Sequence, residues 1–244
     1  MTATATRPAP ATNGQPDTRR QLVSFTMYGL DPAFRRLGDG EKNDARAAFA
    51  DAMSIKGDDV IQLTYSTVGI KSSTDLVVWR IAYDLESLQA QEAAINKTRL
   101  AGYLNVSHRF LSMTKRSQYV DPVDPFHDEN SRTSIKPGRR KYLFVYPFVK
   151  TRPWYLKSLE ERQQAMTDHI RVGNEFPSVK LNTTYSFGLD DQDFVVAFET
   201  DEPADFLDLV QKLRETDSSL YTQRDTPMFT CVQKPIGEIL KELF

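Results

Sequence analysis

The sequence predicts an α+β fold: two tandem ferredoxin-like repeats that form a dimeric α+β barrel within one chain. Three observations lead there. The segment Tyr65–Ile81, YSTVGIKSSTDLVVWRI, reads like Tyr185–Glu199, YSFGLDDQDFVVAFE, with Asp75 and Asp193 at matching places. Strand, glycine-containing turn and strand are the signature of a β-hairpin. Each hairpin lies between segments of helical period, and each half opens and closes on an apolar, strand-forming run. Both halves therefore read β-α-β-β-α-β. Such a sheet keeps its helices on one face, so two copies can cover each other's bare faces.

The first half opens with the strand QLVSFTMY. Its first helix is GEKNDARAAFADAM, with Ala45, Ala48, Phe49 and Ala52 on one face. After the hairpin come a helix around Leu85–Lys97 and the strand FLSMT. The second half opens with KYLFVYPFV. Its first helix, SLEERQQAMTDHIRVG, lines up Leu159, Ala165, Met166, His169 and Val172. Ser158 followed by Glu161 is a capping box, and Gly173 is expected at the C′ position. A helix over Ala204–Arg214 and the strand MFTCVQ complete the plan. The expected divisions are a disordered tail at 1–20, an N-terminal half at 21–120, a connector at 121–140 and a C-terminal half at 141–244. The connector, DPVDPFHDENSRTSIKPGRR, is expected to be long and exposed.

The 244 residues, 40% of them hydrophobic, suffice for a large buried core. A net charge of −2 argues against a nucleic-acid partner. One cysteine, Cys231, allows neither an internal disulfide nor a thiolate metal cage. No apolar run approaches the ~18–20 residues of a membrane span. No secretory signal opens the chain, and a cytoplasmic location is expected.

The common nucleotide, zinc-protease and nucleophile-elbow motifs are missing. The acidic GLDDQDF reads as turn residues rather than a calcium loop. Of three histidines, His127 lies in the connector and His108 precedes a strand. His169 sits on the apolar stripe of its helix. Two readings stay open: a hydrogen-bonded core histidine, or a neutral imidazole that ligates haem iron. An axial histidine needs an outer acceptor to fix its tautomer, and Asp217 in RETDSS is the candidate.

The stretches YPFVKTRPWYLKSLEERQQAMTDH and YSFGLDDQDFVVAFETDEPADFLDLVQKLRETDSSLY resemble the chlorite dismutase-like superfamily of haem proteins. The likeness covers most of Gln21–Phe244 and is stronger in the second half; KPIGEILKELF also resembles the ending of true chlorite dismutases. It implies the same tandem barrel, with haem in the second half and His169 as its axial ligand. It also separates two chemistries. True chlorite dismutases carry a distal arginine where this chain has Leu181, and an aliphatic side chain cannot hold an oxyanion. Coproheme decarboxylases carry Y-P-x-x-K, present here as Tyr146, Pro147, Phe148, Val149 and Lys150.

That branch implies iron coproporphyrin III as substrate, hydrogen peroxide as oxidant and haem b as product. It makes Tyr146 a radical that takes hydrogen from a propionate, with Lys150 assisting at the propionates. Arg132, fourteen residues before the tyrosine, is expected to contact the substrate. Met166 and Leu181 are expected to line the porphyrin. Trp154 either joins them at the porphyrin edge or is a core aromatic that holds the strand-to-helix turn. Other branch members carry a distal glutamine or histidine. The corresponding SMTKRSQY has no histidine, and Lys115 is its nearest cation. Homo-oligomers are expected, with a pentamer favoured over a dimer. One haem per subunit is expected, because Ala52 or Met53 stands near the first-half counterpart of His169. The alternatives are a chlorite dismutase-like haem peroxidase, a haem-binding or transfer protein without turnover, and a cofactor-free barrel.

Overall fold

The computed structural model describes residues 19–55, 57, 59–120, 134–138 and 140–243. Most of the tail, together with His127 and Arg132, lies outside the described residues. The first half contains β1 (Leu22–Leu30), α1 (Asp39–Ser54), β2 (Ile61–Ser66), β3 (Leu76–Ala82), α2 (Leu85–Asn96) and β4 (Leu104–Met113). The second contains β5 (Tyr142–Lys150), the short α3 (Arg152–Leu156), α4 (Leu159–Asn174), β6 (Lys180–Tyr185), β7 (Phe194–Thr200) and α5 (Pro203–Arg214). It ends with β8 (Thr222–Arg224), β9 (Phe229–Gln233) and α6 (Ile236–Glu242).

The strands pair antiparallel in the order β4-β1-β3-β2 and β6-β7-β5-β9, the same permutation twice. The halves join through Met113 opposite Tyr185 and through Tyr65–Ser66 opposite Val232–Gln233. Because β5 pairs with both β7 and β9, the run of hydrogen-bonded neighbours through eight strands returns to its start. Alternation then sorts the side chains. Val23, Phe25, Met27, Tyr65, Trp79 and Phe110 of the first half share one buried cluster with Leu143, Val145, Val195, Ala197, Phe229 and Cys231 of the second. The opposite faces carry separate clusters beneath the helices, one around Phe34 and Phe49 and one around Phe144, Tyr146 and Phe198.

The repeat extends to individual hydrogen bonds. Asp75 accepts from the Leu30 amide at 2.8 Å, and Asp193 accepts from the Lys150 amide at 2.8 Å. The Asp75 and Asp193 amides donate to Tyr28 and Phe148 carbonyls, and the Asp31 and Thr151 amides to those of Tyr103 and Tyr221. Gly69 and Gly188 take positive φ in the two hairpin turns, where a Cβ would be strained. Glu41 and Glu161 each accept from the amide that precedes their helix, Gly38 and Ser158. α1 and α4 both have sixteen residues, so His169 is matched by Phe49 rather than by Ala52 or Met53.

Several expectations need correction. Ala48 is exposed; α1 buries Ala45, Phe49, Ala52 and Met53, an i, i+4, i+7, i+8 stripe. Gly173 does not terminate α4, which runs to Asn174 and stops before Pro177 with its cap, Glu175, still right-handed. β4 begins earlier than FLSMT and includes His108. The connector is not exposed throughout its described residues: Lys136 and Arg140 are exposed, but Ile135 is buried in the shared cluster and the Gly138 amide donates to Glu199.

The first half fills the space beneath its helices with a charged cluster as well as Phe49. Arg80 donates to Gln62 at 2.9 Å and pairs with Glu92 at 3.1 Å; Glu92 also accepts from Tyr28 at 2.7 Å and pairs with Arg109 at 2.6 Å. The Arg80 side chain is only 3% exposed. Glu92→Leu therefore leaves a buried guanidinium unpaired and is expected to lower unfolding free energy by about 3–5 kcal/mol, read from urea titration.

Candidate functional site

The two halves differ most under their helices. α1 buries four residues, whereas α4, of the same length, buries none. The α4 stripe of Ala165, Met166, His169 and Val172 is only half-buried. Opposite it, the sheet presents Tyr146, Phe144, Val196 and Phe198, continued by Leu181 and Thr183 of β6. Leu181, opposite Phe198 in the register, is 50% exposed. Packing between helix and sheet is thus incomplete: Val172 reaches the sheet cluster, while Met166 and His169 stay only half-buried and Leu181 is exposed, which leaves a cleft between α4 and the sheet.

Tyr146 is buried and stacks on Phe198 with centroids 6.0 Å apart and ring planes 21° from parallel. Burial raises its phenol pKa, Asp225 raises it further and Arg214 opposes this, so the group is protonated at neutral pH. Lys150, four residues on, is 8% exposed. Its ammonium donates to the Ser218 carbonyl at 2.6 Å and lies 4.6 Å from the Trp154 ring centroid. Trp154 is buried in α3, directly after β5, at the place Phe34 takes in the first half. Among its rings' neighbours is Tyr221, at 5.4 Å.

His169 directs Nδ1 at Ser218 Oγ, 3.0 Å away. Asp217, the acceptor expected from the sequence, is exposed; the buried residue of that turn is Ser218. Consecutive residues of a 3-10 turn point about 120° apart, so only one of them can meet the imidazole. Burial, and then the nearby Lys150 charge, lower the His169 pKa to about 4, which keeps the ring neutral at pH 7.

Burial lowers Lys150 to about 8. The unfolded chain holds this proton up to about 10.5, so stability rises with pH between those values, and the full penalty is present below about 8. Lys150→Met is expected to stabilise the unliganded protein by up to about 3 kcal/mol at pH 7. The difference from wild type should close as the pH of the urea titration rises from 8 to 10.5.

The donor set suits a haem. Among the described residues no three His, Cys, Asp or Glu side chains converge on one point, and a single neutral imidazole is the protein ligand that a haem iron takes. The cleft walls are apolar, and a buried cation and a phenol stand at its margin. A separate cavity of about 190 Å³, lined by His108, Pro147, Gln192 and Arg224 among others, contains none of these groups. Lys115 is exposed, with its ammonium 5.5 Å from the Tyr185 ring centroid. Arg132 lies outside the described residues. No helix among the described residues is long and apolar enough to cross a membrane.

Comparison with known proteins agrees with this architecture. A sequence model described as chlorite dismutase matches residues 42–234. A coproheme decarboxylase from Mycolicibacterium smegmatis is 27% identical over 225 residues, covering 91% of this chain and 94% of the relative. One from Staphylococcus carnosus is 29% identical over 204 residues, covering 77% and 81%. A crystal structure of a mutant chlorite dismutase from Candidatus Nitrospira defluvii superposes with a TM-score of 0.83 at 24% identity, covering 91% of this chain and 95% of that one. With the matched region spanning most of its length and the same fold around it, this chain belongs to the chlorite dismutase family.

Proposed function

We propose that this protein is a coproheme decarboxylase, which converts iron coproporphyrin III to haem b with hydrogen peroxide. The observation that carries the reading is that Lys150, four residues after the buried Tyr146 on β5, meets His169 through Ser218: the ammonium donates to the Ser218 carbonyl, and His169 Nδ1 faces Ser218 Oγ. The names of the two relatives support it. In this reading the closed cycle of strand pairings is the tandem α+β barrel, with halves at 21–120 and 141–244, and only the second half holds a porphyrin.

The substrate iron, when bound, supplies the oxidising power. His169 holds the iron through Nε2. Met166 and Leu181 cover the porphyrin faces, Trp154 supports Lys150, and Arg132 contacts a propionate. Tyr146 loses its phenolic hydrogen atom and, as a radical, takes one from the β-carbon of a propionate. Loss of carbon dioxide and one further electron leaves a vinyl group. Per arm, a propionate, one peroxide and one proton give a vinyl group, carbon dioxide and two waters. Lys150 stabilises the propionate charge; a carboxylate beside its ammonium replaces the solvation lost to burial. The protein acts as a homo-oligomer, most simply a pentamer, in the cytoplasm.

Peroxide titration of the iron coproporphyrin III complex, with the porphyrins identified by mass, tests this reading. Two successive losses of one carboxyl group each are expected. Binding without conversion would instead mark a haem-carrying protein, and evolution of dioxygen from chlorite would mark a chlorite dismutase.

A further inference from the structure

The hydroxyl groups around His169 form a directed chain. Thr216 Oγ1 lies 2.7 Å from the Leu213 carbonyl, which can only accept, so the threonine proton is committed there. Thr98 makes the same bond to the Ile95 carbonyl, at 2.8 Å, where α2 ends in the first half, which marks this bond as part of the repeated helix ending. Thr216 Oγ1 must then accept from Ser218 Oγ, 3.1 Å away. That uses the single serine proton, so toward His169 Nδ1 the serine oxygen can only accept.

We infer that Thr216 and Ser218 are positioning residues that fix His169 as the Nδ1–H tautomer and so leave the Nε2 lone pair free for a metal. Lys150, the charged group nearest the imidazole, holds the Ser218 carbonyl and so fixes the serine backbone. The internal repeat shows that packing alone does not call for this chain. Counted from Thr98 and Thr216, Leu100 is the counterpart of Ser218, and Phe49 is the counterpart of His169. Leu100 and Phe49 are both fully buried in one apolar cluster. The second half has a polar, oriented pair where the first has an apolar contact.

Two-bond proton–nitrogen correlation spectra of the ¹⁵N-labelled apoprotein test this directly, since the chain has only three histidines. Wild type should show His169 as Nδ1–H. Thr216→Val removes the acceptor, frees the serine proton to turn toward Nδ1 and should switch His169 to Nε2–H. Thr216→Ser should restore Nδ1–H. Ser218→Ala serves if the valine variant does not fold, and should give a mixture of tautomers. An Nε2–H wild type, or Nδ1–H dominance kept in Thr216→Val or Ser218→Ala, overturns the inference.

A second arm, which rests on the haem reading, titrates ferric protoporphyrin IX. Thr216→Val should bind it roughly 10–100-fold more weakly than wild type, and Thr216→Ser equally well. Absence of haem binding in every variant would reject the haem reading while the tautomer result still stands.

Discussion

Tyr146→Phe is expected to abolish propionate loss while leaving iron coproporphyrin III bound. The phenol sits on the cleft face of β5 and is buried against Phe198. Phenylalanine keeps that stacking and the apolar volume but has no hydrogen atom on oxygen to give up. Stability should change by no more than about 1.5 kcal/mol, the scale of one hydrogen bond. Conversion should fall by more than about 100-fold, the lower end of what a group acting directly in a proton-transfer step supplies. Single-turnover peroxide mixing with mass detection of the porphyrin reads both. A variant that still forms vinyl groups at the wild-type rate would exclude the radical role, and a variant that no longer binds would assign Tyr146 to the cleft wall instead.

His169→Ala has the second large effect. The imidazole is held at Nδ1 by Ser218 Oγ, and Nε2 is the nitrogen left to ligate iron. Its removal should weaken iron porphyrin binding by more than the roughly 10–100-fold that loss of an outer-shell partner costs. The Soret band should move to the position of a porphyrin without a nitrogen ligand, and added imidazole should restore part of the shift. Unchanged spectra in the variant would mean that another residue ligates the iron.

Much of the fold was legible because its signals are local and repeated. The hairpin glycines and the aspartates after them occupy positions where φ or an amide donor demands them, so Asp75 and Asp193 pointed to a duplicated unit before any contact was known. The capping box at Ser158 and Glu161 is equally local. Gly173 misled because a glycine near a helix end signals a cap only where the backbone turns left-handed, and Pro177 ends this helix without such a turn. The burial of Ile135 was hidden in a polar connector, since its partner Gln21 lies 114 residues away in sequence.

The candidate site's distinctive side chains stand out in the sequence, and the hydrogen bonds around them do not. Tyr146, Lys150 and His169 carry distinctive chemistry at a readable spacing. Ser218 does not: in RETDSS five adjacent residues, Glu215 to Ser219, can accept a hydrogen bond, and only the phase of the turn selects the one that meets the imidazole. Asp217 is the stronger acceptor by charge but is exposed, whereas Ser218 is significant through its burial. The Arg80–Glu92–Gln62 cluster was missed for a related reason, because a charge on an apolar strand becomes informative only once its partners from α2 and β2 are seen.

A crystal structure of the iron coproporphyrin III complex puts the whole arrangement to the test at once. It should show His169 Nε2 bonded to iron, and Tyr146 Oη about 3–3.5 Å from the β-carbon of one propionate. Iron held by any other side chain, or a porphyrin whose propionates all point away from Tyr146, would contradict it.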